Sequence, residues 1–319
     1  MQVLKVVLLL LFGFVLLIKI SDVFVDAISS IATNFKMSKM MIALTVAAFG
    51  TCTPELAISF QSVSGGSGDI ALANVLGSCF INILLVIGLA AFVRPIKVKN
   101  EAIKKELPIL LVITSMFVLS ILSHFIDLDN NFILGRQDGI LFLCFFIMFM
   151  FYIVSVVRLK QGVLQKAKAK YSMFKSVIYT IICCVLIIIG SDIVVDNAKE
   201  LANMLNVSTK LITMTVVVIG TSLPEMTMTV MAAKKGEFDI ALGNIIGTNI
   251  FNIGIVLGIP LIVYGGFASY SFNLIDVFFV QIAAFVLFFF SKNDKTLSRK
   301  EGAIMLGLFI LYYTYLFIH

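Results

Sequence analysis

Charged residues are scarce in this sequence. Only 13% of its 319 residues are Asp, Glu, Lys or Arg, whereas 60% are hydrophobic and the mean hydropathy is +1.08. Soluble domains carry about a quarter charged residues, so a chain this apolar cannot hide its surface in one soluble core. The scarcity of charge therefore excludes an ordinary soluble protein and predicts an integral membrane protein with the lipid bilayer as its solvent.

Cysteine and histidine are also rare. The five cysteines lie inside apolar runs, and the two histidines lie at the ends of runs and share no cluster. Disulfides, zinc sites and cofactors are therefore not expected, and no nucleophile–base pair indicates an enzyme. The net charge of +6 does not indicate a nucleic-acid partner, because the basic residues fall in loops on one side. No obligate protein partner is expected.

Long apolar runs dominate what remains. A bilayer span needs roughly 20 mainly apolar residues, and ten stretches meet this requirement. They lie near 3–33, 40–63, 70–93, 107–123, 139–157, 174–203, 211–233, 240–264, 274–290 and 302–318. The sequence therefore predicts an all-α, polytopic membrane protein with ten transmembrane helices, the first of which is retained rather than cleaved as a signal peptide.

Loop charge predicts the orientation. Lys and Arg collect on the cytoplasmic side of membrane proteins, and the basic loops here follow spans one, three, five, seven and nine. The loops on the opposite side are poorer in basic residues, and the loop at 260–273 has none. Both termini are therefore expected outside the cytoplasm, and the basic segment 158–173 is expected to be a cytoplasmic loop.

The sequence contains an internal repeat. GTCTPE at 50–55 recurs as GTSLPE at 220–225, and DIALANVLGSCFINI at 69–83 recurs as DIALGNIIGTNIFNI at 239–253. Each pair is separated by 170 positions (225 − 55), which is five spans, so the two copies cross the membrane in opposite directions. Inverted repeats are typical of secondary transporters, with the substrate site near the midplane. We predict two inverted five-helix repeats, 1–157 and 174–319, joined by the 158–173 loop.

Two acids lie inside apolar spans. Glu55 and Glu225 have no Lys or Arg near them in spans two, three, seven or eight. An ionised carboxylate in the bilayer costs a few kcal/mol and usually marks an ion pathway. We therefore interpret the pair as ligands of a bound cation, against the alternative of two protonated structural acids.

Proline precedes each of these glutamates. Pro54 and Pro224 cannot donate a backbone hydrogen bond to the carbonyl four residues earlier. Those carbonyls belong to Gly50 and Gly220, and each is followed by a threonine hydroxyl, on Thr51 or Thr221. Carbonyl, hydroxyl and carboxylate oxygens are hard ligands that suit calcium and sodium.

Further polar residues lie on the following span of each repeat. Asn82 follows Ser78 by four residues, and Asn252 follows Thr248 by four, so each pair shares one helix face. All four can turn oxygens toward the glutamates. The alternative is that they form hydrogen bonds between helices.

The paired segments GTCTPE and GTSLPE, each followed by an N-x-x-G-S/T-x-x-x-N stretch, resemble the two alpha repeats of the calcium/cation antiporters. The sequence is most similar to the sodium/calcium exchanger branch and its compact prokaryotic members. The resemblance implies a calcium site between Glu55 and Glu225 with help from Thr51 and Thr221. It also implies flanking sodium sites that use Ser78, Ser222 and Thr248, and a bacterial or archaeal plasma membrane location.

Two positions depart from that family's pattern. Asn252 stands where the second repeat often has Asp, so that two acids remain at the centre. Cys52 stands where the first repeat usually has Ser, and a thiol is a poor sodium ligand, which predicts a weaker sodium site beside Glu55. The resemblance nonetheless implies exchange of calcium for sodium by alternating access, with a calcium/proton antiporter or a passive cation channel as the alternatives.

Overall fold

The computed structural model describes residues 2–66, 68–127, 132–160, 169–204, 218–269 and 274–318. The first half contains α1 (Gln2–Asn34), α2 (Lys39–Thr51), α3 (Thr53–Ser64), α4 (68–93), α5 (102–127) and α6 (Arg136–Lys160). The second half contains α7 (Met173–Met204), α8 (Val218–Thr221), α9 (Leu223–Lys235), α10 (Phe238–Tyr264), α11 (Leu274–Asn293) and α12 (Arg299–Ile318).

These helices have the length and composition of membrane spans. Among the described residues, seven helices are long and apolar enough to cross a bilayer, and α2 and α3 make an eighth if the bent pair is one span. The expectation of a polytopic helical membrane protein is confirmed at this level. The first part of the predicted seventh span, 211–217, lies outside the described residues.

Four short strands, which the sequence analysis did not predict, accompany the mostly helical fold. β1 (Ile96–Lys97) pairs antiparallel with β4 (Thr296–Leu297), and β2 (Phe132–Gly135) pairs antiparallel with β3 (Gly266–Ser269). Each ribbon joins a loop of the first half to a loop of the second. The sequence analysis missed them because two to four residues at the end of an apolar run carry no readable alternation of apolar and polar residues.

Two glycine contacts bring helices very close together. A Cβ atom added to Gly302 of α12 would lie 2.7 Å from the carbonyl oxygen of Gly88 in α4. A Cβ atom added to Gly139 of α6 would lie 2.7 Å from the carbonyl oxygen of Gly258 in α10. Small residues allow such backbone approach in membrane helices. α4 and α10, which occupy the interior, are thereby each packed against the last helix of one half.

The exposed surface is apolar, as a lipid-facing surface must be. α1 and α7 pack along each other, and a Cβ atom on Gly13 would lie 2.7 Å from a methyl group of Val194. On the outer side of this pair, large side chains such as Leu8, Phe12 and Ile181 are more than half exposed. Exposed aliphatic and aromatic side chains on long helices are stable in lipid rather than in water.

Ion pairs gather at one end of the molecule. Lys39 forms an ion pair with Glu237 at 2.6 Å, and Lys235 and Lys170 both form ion pairs with Asp26 at 2.5 Å. The β1–β4 ribbon connects the loop after α4 to the loop after α11. The loops involved are those that the charge pattern predicts to be cytoplasmic.

Candidate ion-binding site

Two broken helices build the site. The α2–α3 pair bends by 48° at Cys52, and Pro54 is the second residue of α3. The second half repeats this break at Ser222, where Pro224 is the second residue of α9. Proline suits the first turn of a helix because the missing N–H has no intrahelical acceptor there. Each span is therefore two helices end to end, with a new N-terminus in the interior.

The glutamates lie in those new first turns. Glu55 is 1% exposed and Glu225 is 0% exposed, and their carboxyl groups are close enough to interact electrostatically. The positive end of a helix dipole favours a carboxylate in the first turn, but two adjacent anions in a buried space still need a counter-charge. Apart from the Thr51 hydroxyl beside Glu225, no described side chain is placed to donate a hydrogen bond to the four carboxylate oxygens.

Other buried polar atoms share this lack of a partner. Several such atoms belong to candidate residues of the two repeats: Ser78 Oγ, Asn82 Oδ1, Ser222 Oγ, Thr248 Oγ1, and both amide atoms of Asn252. Each parent side chain is 0% exposed. An unsatisfied buried polar atom costs about 1–3 kcal/mol, so such a group of atoms in one region points to a ligand that they bind.

Several contacts connect the two halves around these atoms. The Cys52 thiol donates a weak hydrogen bond to the Thr248 carbonyl at 3.8 Å and lies within electrostatic range of both glutamates. The Thr51 hydroxyl lies next to the Glu225 carboxyl group and donates to the Ala48 carbonyl at 3.3 Å. The structure therefore brings residues of both repeats into one cluster.

The remaining candidates lie at the helix breaks. Gly50 is partly buried and Gly220 is buried, each four residues before the proline that cannot donate to its carbonyl. Thr221 is partly buried at the end of α8. The positions of all twelve candidates are thus known, whereas their role as ion ligands remains a prediction.

Both central asparagines lie in π-helical turns that the sequence analysis did not predict. Ile81–Ile87 in α4 and Asn252–Leu257 in α10 are π-helical, with Asn82 second in one turn and Asn252 first in the other. Such turns often mark functional sites. They widen the helix and change the direction of the side chains, which a period of 3.6 residues does not reveal.

Other asparagines around the site were also missed. Asn74 donates to the Glu55 carbonyl at 3.0 Å and to the Ser59 hydroxyl at 3.2 Å. Asn244 donates to the Thr229 hydroxyl at 3.2 Å. Asn74 and Ser59 each lie 170 positions before Asn244 and Thr229 (244 − 74; 229 − 59). This constant spacing of polar residues inside apolar runs was the available signal.

The assembled chemistry is that of a hard cation site. It offers two carboxylates, two amides and several hydroxyls, and oxygens of this kind suit calcium and sodium. Among the described residues, no group of three or more His, Cys, Asp or Glu is arranged to hold a metal ion. The arrangement differs from the nitrogen- and sulfur-rich sites of transition metals.

Comparisons with known proteins agree with this chemistry. The family model described as "Sodium/calcium exchanger protein" matches residues 5–155 and 175–318. The putative antiporter CaxA of Alkalimonas amylolytica is 35% identical over 317 residues, covering 96% of this chain and 97% of the relative. The inner membrane protein YrbG of Escherichia coli strain K12 is 32% identical over 321 residues, covering 97% and 96%.

A solved structure shares the fold. The sodium-calcium exchanger NCX_Mj superposes with a TM-score of 0.82 at 30% identity, covering 98% of this chain and 99% of that chain. The resemblance read from the two glutamate motifs is confirmed. Since the family model matches most of the chain and the relatives match it from end to end, this protein belongs to the sodium/calcium exchanger protein family.

Proposed function

We propose that this protein exchanges calcium for sodium across a membrane, with both ions using the cluster between Glu55 and Glu225. The observation that carries the proposal is the pair of buried carboxylates surrounded by buried oxygens that lack protein partners. The solved relative is named a sodium-calcium exchanger and was soaked with Na+, Ca2+ and Sr2+, which supports the same ions here.

Charge balance explains why the two ions compete. Two ionised glutamates carry two negative charges, which one calcium ion neutralises. Sodium ions use the same oxygens and replace calcium rather than joining it. The empty site has two uncompensated buried charges and resists the change of access. If three sodium ions exchange for one calcium ion, one charge crosses the membrane, equivalent to roughly 2.3 kcal/mol per 100 mV.

Ten spans in two inverted repeats are part of the proposal. Counting the broken α8–α9 pair and the 20-residue α12 as spans raises eight to ten. The glycine contacts Gly88–Gly302 and Gly139–Gly258 have matching places in the two halves, since Gly88 and Gly258 are 170 positions apart. The β1–β4 and β2–β3 ribbons match in the same way. Alternating access between related halves then follows the pattern of such transporters.

The division into 1–157, 158–173 and 174–319 follows from that proposal. The described part of α6 reaches Lys160 and α7 begins at Met173, and residues 161–168 of the proposed loop lie outside the described residues. We further propose a bacterial or archaeal plasma membrane, since one relative is named an inner membrane protein. Both termini then lie outside the cytoplasm, on the side opposite the Lys39–Glu237 pair.

A calcium/proton antiporter is the second candidate. Two buried carboxylates without a described partner can take up protons in place of sodium, and Cys52 offers a thiol where a hydroxyl would bind sodium better. A proton bound to a carboxylate needs no further oxygen ligands. Calcium/proton exchange therefore gives the hydroxyl oxygens of Ser78 and Thr248 no role. Sodium gives them one.

Radiolabelled calcium flux into liposomes tests the proposal. Purified protein is reconstituted, and outward sodium, proton and potassium gradients are imposed one at a time. We expect calcium uptake when the sodium gradient is imposed, and none when the proton or the potassium gradient is imposed. Uptake with only the proton gradient would favour the second candidate, and uptake that requires no counter-ion would indicate a channel. Protein-free liposomes supply the background for each gradient.

A further inference from the structure

A chain of two hydrogen bonds reaches the proposed site from the opposite half. Asn249 of α10 is 0% exposed and lies next to Thr248 in sequence. Its Nδ2 donates to the main-chain carbonyl of Cys79 at 3.1 Å. Its Oδ1 accepts a hydrogen bond from Asn82 Nδ2, also at 3.1 Å. No role in ion binding was predicted for Asn249 from the sequence.

The direction of this chain is fixed by its first acceptor. A main-chain carbonyl only accepts, so Asn249 must present its NH2 group to Cys79. Its oxygen then faces Asn82, which must present its own NH2 group in return. Turning either amide by 180° would place two donors or two acceptors against each other. The assignment of oxygen and nitrogen is thus determined by the network itself.

This orientation determines where the amide oxygen of Asn82 lies. With Nδ2 engaged, Oδ1 is directed elsewhere in the buried interior, where no described protein group bonds to it. An amide oxygen can bind calcium or sodium, whereas an amide NH2 group carries partial positive charge and repels them. The orientation of Asn82 therefore decides whether this side chain helps or hinders a cation.

The hydrogen bond between Asn249 and Asn82 has no equivalent at Asn252, the matching asparagine of the second half. Asn252 corresponds to Asn82, and the position that corresponds to Asn249 is Cys79 (249 − 79 = 170). The Cys79 thiol lies beside Asn252, but a thiol can donate weakly to an amide oxygen or accept weakly from an amide NH2 group, so it does not select one orientation. Within the described residues, no group other than this thiol bonds to either amide atom of Asn252. Two hydrogen bonds in series thus orient the amide of Asn82, whereas the weak thiol contact leaves the orientation of the Asn252 amide open.

We propose that Asn249 is a positioning residue that fixes the amide of Asn82 with its oxygen toward the ion site. The proposal rests on the proposed function, because it assumes that a cation binds between the glutamates. Asn249 does not itself touch the ion. It acts through Asn82, and it does so from the opposite half of the molecule.

A double-mutant experiment separates positioning from packing. Calcium binding to purified protein is measured by calorimetry for Asn249→Ala, for Asn82→Asp and for the combination. An Asp at 82 has oxygens at both ends, so its orientation no longer matters. We expect Asn249→Ala to weaken calcium binding at least about tenfold in the unaltered background, as expected when a charged ligand loses a polar partner. In the Asn82→Asp background, Asn249→Ala should change the calcium affinity by no more than about threefold.

Asn249→Leu provides a second variant, because leucine keeps the branched shape and removes both hydrogen bonds. Melting of the detergent-purified protein checks the fold of each variant. Equal weakening in both backgrounds would show that Asn249 acts only through packing and would overturn the proposal. If the unaltered protein bound no calcium, the proposed function itself would fail. Binding by the unaltered protein with no effect of either Asn249 variant would refute the positioning role alone.

Discussion

Glu55 and Glu225 carry the two charges around which the interior is organised. No ion pair among the described residues includes either of them, although buried acids in membranes usually have a partner. Their nearest chemistry is neutral: hydroxyls, amides and the Cys52 thiol. The neutralising charge must therefore come from an ion or a proton that enters the site, which is the property a carrier needs.

Removing either carboxylate should abolish transport. Glu55→Gln and Glu225→Gln keep the shape of the side chain but leave one negative charge, which is too few for a divalent ion. We expect calcium flux in liposomes to fall to background for each, while the protein elutes as a folded species. Glu101→Gln, at an exposed position, is the matched control and should retain flux. Substantial flux in both site variants would refute the assignment.

A hydroxyl at position 52 should strengthen sodium binding. The Cys52 side chain is 3% exposed and lies near both carboxylates, and a hydroxyl is a harder ligand than a thiol. We expect Cys52→Ser to lower the sodium concentration that half-inhibits calcium binding, with a smaller effect on calcium itself. Cys144→Ser, at an exposed cysteine, should change neither. Unchanged sodium competition in Cys52→Ser would mean that this side chain is no ligand.

At the scale of elements, α1 is held at one end by lysines. Lys235 of α9 bonds to the Asp22 carbonyl at 2.6 Å and to the Asp26 carboxylate at 2.5 Å. Lys170, before α7, bonds to the other Asp26 oxygen, and this hydrogen bond raises the pKa of the Lys170 ammonium. α1 is joined at this end to the helix that carries Glu225.

Breaking this contact should loosen the end of α1. Lys235→Ala removes the bonds to Asp22 and Asp26, and partly exposed pairs of this kind contribute about 1 kcal/mol, or roughly fivefold in an opening equilibrium. We expect faster amide hydrogen exchange in residues 22–34. Lys234→Ala is the matched control, since the contact of Lys234 with Arg94 uses the main-chain carbonyl, which alanine keeps. Equal exchange in both variants would contradict a role for the Lys235 ammonium.

The helix breaks were predictable from the sequence, whereas the π-helical turns were not. Pro54 and Pro224 predicted the helix breaks correctly, because proline has a fixed local effect. The π-turns at Asn82 and Asn252 depend on how α4 and α10 pack, so no residue type marks them. Asn249 was visible as a polar residue in an apolar run, but its partner Cys79 carbonyl is a backbone atom on another span. Only the folded chain brings these atoms together.

For the whole molecule, the helix crossings near Gly139 and Gly302 set how closely the last helix of each half approaches the interior. The 170-residue offset in the sequence predicted that the halves would correspond, and it aligned Gly88 with Gly258. The second glycine of each crossing does not follow the 170-residue offset of the repeat, since Gly139 and Gly302 are 163 positions apart (302 − 139). The contact was therefore not predictable from the repeat.

Alanine at these crossings should destabilise the protein. A Cβ atom on Gly302 would lie 2.7 Å from the Gly88 oxygen and 2.8 Å from the Phe92 nitrogen, both backbone atoms that cannot move aside easily. Overpacking of this kind costs about 1–3 kcal/mol. We expect Gly302→Ala and Gly139→Ala to lower the melting temperature in detergent. Gly307→Ala, in the same helix α12 with nothing within 4 Å of its Cβ position, should not; equal melting of all three would contradict close crossing.

The β1–β4 and β2–β3 ribbons have a mechanical consequence. Each ribbon joins a loop of the first half to a loop of the second through backbone hydrogen bonds. The two halves therefore cannot separate at these loops without breaking those bonds. α1 and α7 take part in neither ribbon. Neither ribbon therefore restrains a movement of this helix pair relative to the rest of the molecule.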